Sequence, residues 1–172
     1  MFDPTIYENV KVVLEGAAYD LDSDGKVLIS GRKDTVDLAS MSRSYRIRFT
    51  RSHADEKPEA ELTLSADSED LAAEILELRD RTPGCRLQVS FSCTVANSEL
   101  ECKRIDSLMK KLWGTEPKFT QTLSYEYGQE STLLRNRIDL DFQRSFDESV
   151  IGDIPRFLTH ITETLARLSD GG

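Results

Sequence analysis

Residues 85–95 read Cys-Arg-Leu-Gln-Val-Ser-Phe-Ser-Cys-Thr-Val, an unbroken alternation of apolar and polar side chains. Cys85, Leu87, Val89, Phe91, Cys93 and Val95 share one face, and Arg86, Gln88, Ser90, Ser92 and Thr94 share the other. Successive side chains of a strand point to opposite sides, so this period of two marks a strand with one buried and one solvated face. A strand covered on both sides, as in a parallel sheet, would read as a continuous apolar run instead.

The same alternation recurs on both sides of this stretch. In 134–142, Leu134, Ile138, Leu140 and Phe142 alternate with Arg135, Arg137, Asp139 and Asp141. In 118–127, Phe119, Leu123, Tyr125 and Tyr127 lie opposite Lys118, Thr120, Thr122 and Ser124. Shorter runs repeat it at Tyr45, Ile47 and Phe49, and at Ala60, Leu62 and Leu64.

Three segments switch to helical spacing. Over about 68–80 the stripe is Leu71, Ile75 and Leu78, with Asp67 as N-cap and Pro83-Gly84 as the stop. The second begins with a capping box, Ser98 and Glu101, and ends at Gly114. Its stripe is Cys102, Ile105, Met109 and Leu112, widened by Leu108 and Trp113. The third starts at Asp153, carries Pro155 in its first turn, where proline is tolerated, and buries Leu158, Ile161, Leu165 and Leu168.

The N-terminal 42 residues are ambiguous. Ile6, Val10, Val13, Leu14 and Ala17 fit a helix after an Asp3-Pro4 start, while Val10, Val12, Val13 and Leu14 also suit a strand. Strand is preferred, because Gly16 weakens a helix and Tyr19, Leu21, Val27 and Ile29 flank a hairpin-like tip at Ser23-Asp24-Gly25. Residues 34–42 suit either type. The expectation is a single α+β domain over 1–172: an antiparallel or mixed sheet of six to seven strands with three helices on one face. The part from residue 60 onward accommodates a β-α-β arrangement, its connectivity left open.

Composition excludes several functions. The 172 residues carry 31 acidic against 22 basic side chains, a net charge of −9, which disfavours nucleic acid and anionic membrane as partners. No apolar run reaches the ~20 residues that span a bilayer, and Met1-Phe2-Asp3-Pro4 lacks the features of a secretory leader. Cys85, Cys93 and Cys102 are odd in number and show no CxxC spacing. The expected location is therefore a reducing cytoplasm.

Few residues suggest chemistry. Asp20, Asp22, Asp24 and Gly25 match the opening of a calcium loop, but its twelfth position is Gly31 rather than a bidentate glutamate, so a plain turn is expected and a weak cation site is the alternative. His53 and His160 read as surface histidines and the cysteines as buried hydrophobes. Ser107 and Lys110 form an S-x-x-K without its companion motifs. No nucleotide, metalloprotease or hydrolase motif occurs, so no catalytic residue and no cofactor is assigned.

The polar sheet face is the remaining feature. Parity places Arg46, Arg48, Arg86, Lys118, Arg135 and Arg137 on it, together with Glu59, Glu61, Glu126, Asp139 and Asp141. Cross-strand pairing accounts for such a mixture. The functional alternative is that Arg46, Arg48, Arg135 and Arg137 hold a small anionic ligand, since guanidinium forks match carboxylate and phosphate geometry. The leading expectation is a non-enzymatic interaction or adaptor module that pairs with a protein partner or with itself through a sheet edge or face, the long alternating strands 85–95 and 134–142 offering pairing edges unless covered. An enzyme without a recognisable motif is the third possibility.

Overall fold

The computed structural model describes residues 5–51 and 58–171. His53, most of the polar connection around it and the chain's first four residues lie outside the described part. Six strands form one antiparallel sheet: β1 (Leu28–Asp37), β2 (Ser42–Thr50), β3 (Glu59–Ala66), β4 (Arg86–Val95), β5 (Lys118–Ser124) and β6 (Leu134–Asp141). Their spatial order is β1-β2-β3-β4-β6-β5. Four helices accompany them, α1 (Thr5–Ser23), α2 (Ser68–Ile75), α3 (Ser98–Trp113) and α4 (Ile154–Ser169), with a short 3-10 helix at Glu148–Asp153.

The α+β class and the six strands agree with the periodicity, but the N-terminus is a helix and not a strand. Tyr7, Val10, Leu14 and Ala18 are buried along one side of α1 at intervals of three to four residues. Each large side chain buried this way is worth roughly 1.5–3 kcal/mol, against about 1 kcal/mol for a glycine in a helix interior. Gly16 itself faces open space. Packing therefore overrides propensity here.

Nor is Ser23-Asp24-Gly25 a hairpin tip; it ends α1. Gly25 sits at φ +71°, its amide donates to the Asp22 carbonyl at 2.9 Å, and the Lys26 amide reaches the Leu21 carbonyl at 2.9 Å. Those two bonds close the helix as a Schellman motif, which needs a left-handed residue at this place. The ambiguous 34–42 resolves into the end of β1, a tight connection and the start of β2.

Two other elements are shorter than their spacing implies. Helix α2 begins as expected, with Asp67 and Asp70 closing a reciprocal capping box. It stops at Ile75 because Glu77 takes φ +47°, and Ile75 and Leu78 are left exposed. Strand β5 ends at Ser124, whose partner is Arg135, so Tyr125 and Tyr127 continue the alternation with no strand beside them and are 75% and 99% exposed. Helix α3 is capped one residue early, by the Asn97 side chain on the Leu100 amide, while Glu101 accepts from the Ala96 and Asn97 amides.

The core lies between the inner sheet face and the helices. Tyr45, Ile47, Phe49, Leu62, Val89, Phe91, Ile138 and Leu140 meet Val10 and Leu14 of α1, Ile105 and Met109 of α3, and Leu158, Ile161 and Leu165 of α4 in one cluster. The expected β-α-β is a split one. β4, α3 and β5 form the crossover, and β6 lies between the two strands, antiparallel to both. Among the described residues the opposite sheet face is lined mainly by polar side chains, among them Arg46, Arg48, Glu61, Ser90, Arg137 and Asp139.

Candidate functional site

The polar face assembles as parity requires. Neighbouring strands lie about 4.8 Å apart, and register aligns Arg48 with Glu61, Glu61 with Ser90, and Ser90 with Asp139. One row along, Lys33 stands beside Arg46. Lys33 escapes sequence reasoning because β1 has a bulge between Ile29 and Gly31 that reverses its parity.

Most of the expected arginines are engaged within this face. Glu61 is shared, lying 3.7 Å from Arg46 Nε and 3.5 Å from an Arg137 amino group. Arg137 also bonds Asp139 at 3.0 Å and the Ser90 hydroxyl at 2.9 Å. Arg48 lies 3.8 Å from Glu59, which accepts from the Ser30 hydroxyl at 2.7 Å. Arg86 holds Asp67 and Asp70. Arg135, toward the start of β6, makes no ion pair among the described residues. The four arginines therefore do not converge on one point. Arg46 and Arg48 share a shallow depression of about 320 Å³ with Gly31, Lys33 and Glu61. A Cβ at Gly31 would come within 2.8 Å of the Arg48 guanidinium, so the glycine lets that side chain lie flat across β1. Glu126, expected on this face, lies beyond the end of β5.

The acidic triplet lies at the end of α1 and not on a hairpin loop. Asp20 and Asp22 are on the last turn of α1 and Asp24 follows it; among the described residues no group of three or more histidine, cysteine or acidic side chains is placed to hold a metal.

His160, Cys85, Cys93, Ser107 and Lys110 each have structural partners or are held in the core. His160 is not a free surface histidine. Its Nε2 lies 2.8 Å from the Leu112 carbonyl at the end of α3, and its ring centroid lies 4.4 Å from that of Trp113. It lines a groove of about 720 Å³ with Asp153, Arg156, Phe157, Glu163 and Thr159, whose hydroxyl donates to the Pro155 carbonyl at 3.0 Å. Burial, then the charges of Asp70 and Asp147, push the Cys85 thiol up to about 12. Burial, then Cys102 and Glu101, push Cys93 up to about 11. Thiols held protonated in this way are poor nucleophiles. Ser107 donates to the Lys103 carbonyl at 3.1 Å, and Lys110 bonds Asp106 at 2.7 Å, so the S-x-x-K pair is not coupled.

A buried polar island is a feature that the spacing does not announce. Asn136 occupies an inward position of β6 and is fully buried. Its amide donates to Gln121 Oε1 at 2.8 Å, and the Gln121 amide donates to the Cys102 carbonyl at 2.9 Å. The signal was present: Asn136 is the one polar residue at an inward position between Leu134 and Ile138.

The two sheet edges differ. Beside β1, α1 is tied down by Lys11 to Asp34 at 2.9 Å, Arg32 to Glu15 at 2.6 Å and Arg43 to Glu8 at 2.8 Å. That edge is also bulged, and it carries Arg32, Lys33, Asp34 and Asp37. β5 has β6 on one side only and pairs with it without a register break. Past Lys118 it bears no charge, and Leu123, Tyr125 and Tyr127 are exposed beside it. Leu100, in the first turn of α3, is 68% exposed at the same end of the sheet. No helix of the described residues is long and apolar enough to cross a membrane. Comparison with known protein families, curated proteins and solved structures finds no match to this chain.

Proposed function

We propose that the protein is an interaction module that receives an extended segment of a protein partner along the open side of β5. The observation that carries this reading is the contrast between the edges. An edge strand presents unpaired N–H and C=O groups to any other strand, and proteins blunt such edges with bulges, charges or cover. β1 has two of these devices, a bulge and a run of charged residues, with α1 ion-paired to its inward side chains. β5 has one terminal lysine and a flank of exposed tyrosines. Main-chain hydrogen bonds along such an edge supply affinity, and alternate side chains supply selectivity.

Photocrosslinking in cells tests this. With p-benzoylphenylalanine at position 125, a protein adduct is expected, and at position 33, on the opposite edge, none. The reading is overturned by no adduct at 125 or by equal adducts at both positions.

A second reading has its own observation, the depression bounded by Lys33, Arg46 and Arg48, which suits a small anion. Glu61 and Glu59 already compensate much of that charge. Inorganic phosphate should raise the melting temperature of the wild type and not of Arg46→Gln if this reading holds; equal shifts exclude it.

A further inference from the structure

We infer that the segment received is β5 of a second copy of this chain, antiparallel to the first and in the register that sets Thr122 opposite Thr122. The inference rests on the edge reading above and names its partner. Two identical edges that pair antiparallel are related by a two-fold axis normal to the sheet, an isologous contact. That axis keeps the helices of both copies on one side and the polar faces on the other. Inward residues then meet only inward residues, which restricts the allowed registers to a few.

Among these, one is complementary in both charge and shape. With Thr122 on the axis, Lys118 faces Glu126 of the second copy, and Phe119 faces its Tyr125. Thr120 then faces Ser124, and Gln121 faces Leu123. By symmetry each of these pairs occurs twice. Opposite charges and aromatic pairs at directly facing positions stabilise an antiparallel ladder, whereas like charges destabilise it. Centring on Gln121 instead sets Glu116 against Glu126 and leaves Lys118 facing Ser124. Centring on Leu123 places Lys118 opposite Gly128 and Thr120 opposite Glu126. Of these three registers, only the one centred on Thr122 pairs Lys118 with an anion.

The geometry of the loop permits this extension. Tyr125 and Glu126 follow Ser124 before the chain turns, where the Gln129 amide meets the Glu126 carbonyl at 3.3 Å. Glu126 accepts a bond from the Gln129 side chain and is exposed. In the pair, Leu123 and Tyr125 of both copies would be covered on the helix side, close to the first turns of the two α3 helices. A contact built on one strand pair is small, which places it among weak, concentration-dependent associations.

Sedimentation velocity over a concentration series, with charge-reversal variants, tests the register. The wild type should dimerise reversibly. Glu126→Lys alone and Lys118→Glu alone should each weaken the dimer by about tenfold, since each reversal places like charges at both symmetric positions. The double variant Lys118→Glu/Glu126→Lys should recover wild-type association, which a misfolded edge could not do. A monomer at every concentration overturns the inference, as does a dimer indifferent to the single reversals or not rescued by the double. A monomer that still gives a crosslink at position 125 to a different protein removes self-pairing and keeps the edge reading. A monomer with no crosslink removes both.

Discussion

His160 closes the end of α3 from a neighbouring helix: its Nε2 lies 2.8 Å from the Leu112 carbonyl, and its ring stands edge-on to Trp113 at 4.4 Å. The last carbonyls of a helix have no partner within it, so α4 supplies one to α3. Trp113 is fixed from the same side, its indole N–H donating to Thr164 at 3.1 Å. His160→Ala removes both the hydrogen bond and the ring contact, and is expected to cost about 1–2 kcal/mol. Urea unfolding followed by Trp113 fluorescence measures it, and a change below about 0.3 kcal/mol would make the contact energetically idle.

Asn136 gives a prediction of opposite sign. Its Oδ1 has no hydrogen-bond partner although the residue is fully buried, and Gln121, which accepts from it, is only half-buried. Replacing an incompletely satisfied buried polar group by an apolar one of similar size is neutral or favourable. Asn136→Leu should therefore leave stability unchanged or raise it by about 1 kcal/mol. Asn136→Asp, which buries a charge on the same site, should cost about 3 kcal/mol at neutral pH. Chemical denaturation of the two variants side by side tests the pair.

The end of α2 stores backbone strain. Glu77 adopts φ +47°, and the Leu78 amide bonds the Ala73 carbonyl at 3.3 Å, the geometry normally given to glycine. A left-handed non-glycine residue costs roughly 1 kcal/mol, and an acid at a helix C-terminus also opposes the helix dipole. Glu77→Gly should stabilise the protein by about 0.5–1 kcal/mol, seen as a higher melting temperature. A decrease would contradict this account of why α2 ends where it does.

The thiols make stability fall in alkali. An unfolded cysteine ionises near 8.5, whereas Cys93 is pushed up to about 11 and Cys85 to about 12 by burial first of all. The native state thus holds its protons to higher pH than the unfolded chain. This contribution is fully present below about pH 8.5 and is lost as pH rises toward 11. Denaturation midpoints should be flat to about pH 8 and decline above it, with a shallower decline for Cys93→Ala. An identical slope in the variant would assign the decline to other groups.

Legibility in the sequence followed the physical source of each feature. Positions 85–95 and 134–142 alternate because burial acts on every second residue, and both strands lie where that pattern places them. The membership of the polar face was legible for the same reason, but the meeting of Arg46 and Arg137 at Glu61 was not, because it depends on the order β3-β4-β6. Tyr125 and Tyr127 keep the alternation after the neighbouring strand has run out; where a strand ends is decided by its partner. The α1 segment reads as a strand because Gly16 and Gly25 carry turn propensity, while the stripe Tyr7, Val10, Leu14 and Ala18 finds its partners only in the assembled core. The strands 85–95 and 134–142, expected to offer pairing edges, are interior instead, β4 lying between β3 and β6 and β6 between β4 and β5, since any strand is an edge until its neighbours are known.

The position of β6 between β4 and β5 also sets an order of events during synthesis. β2, β3 and β4 can each pair with the strand made just before, so that part of the sheet can grow as the chain emerges. β5 cannot. Its only neighbour is β6, made after it, so residues 118–124 leave the ribosome with both sides unpaired and wait for 134–141. One of the two strands that stay open on one side in the finished molecule is thus open on both sides in the nascent chain. On crowded polysomes, its first encounter with another strand can come from a neighbouring nascent copy before its own β6 arrives.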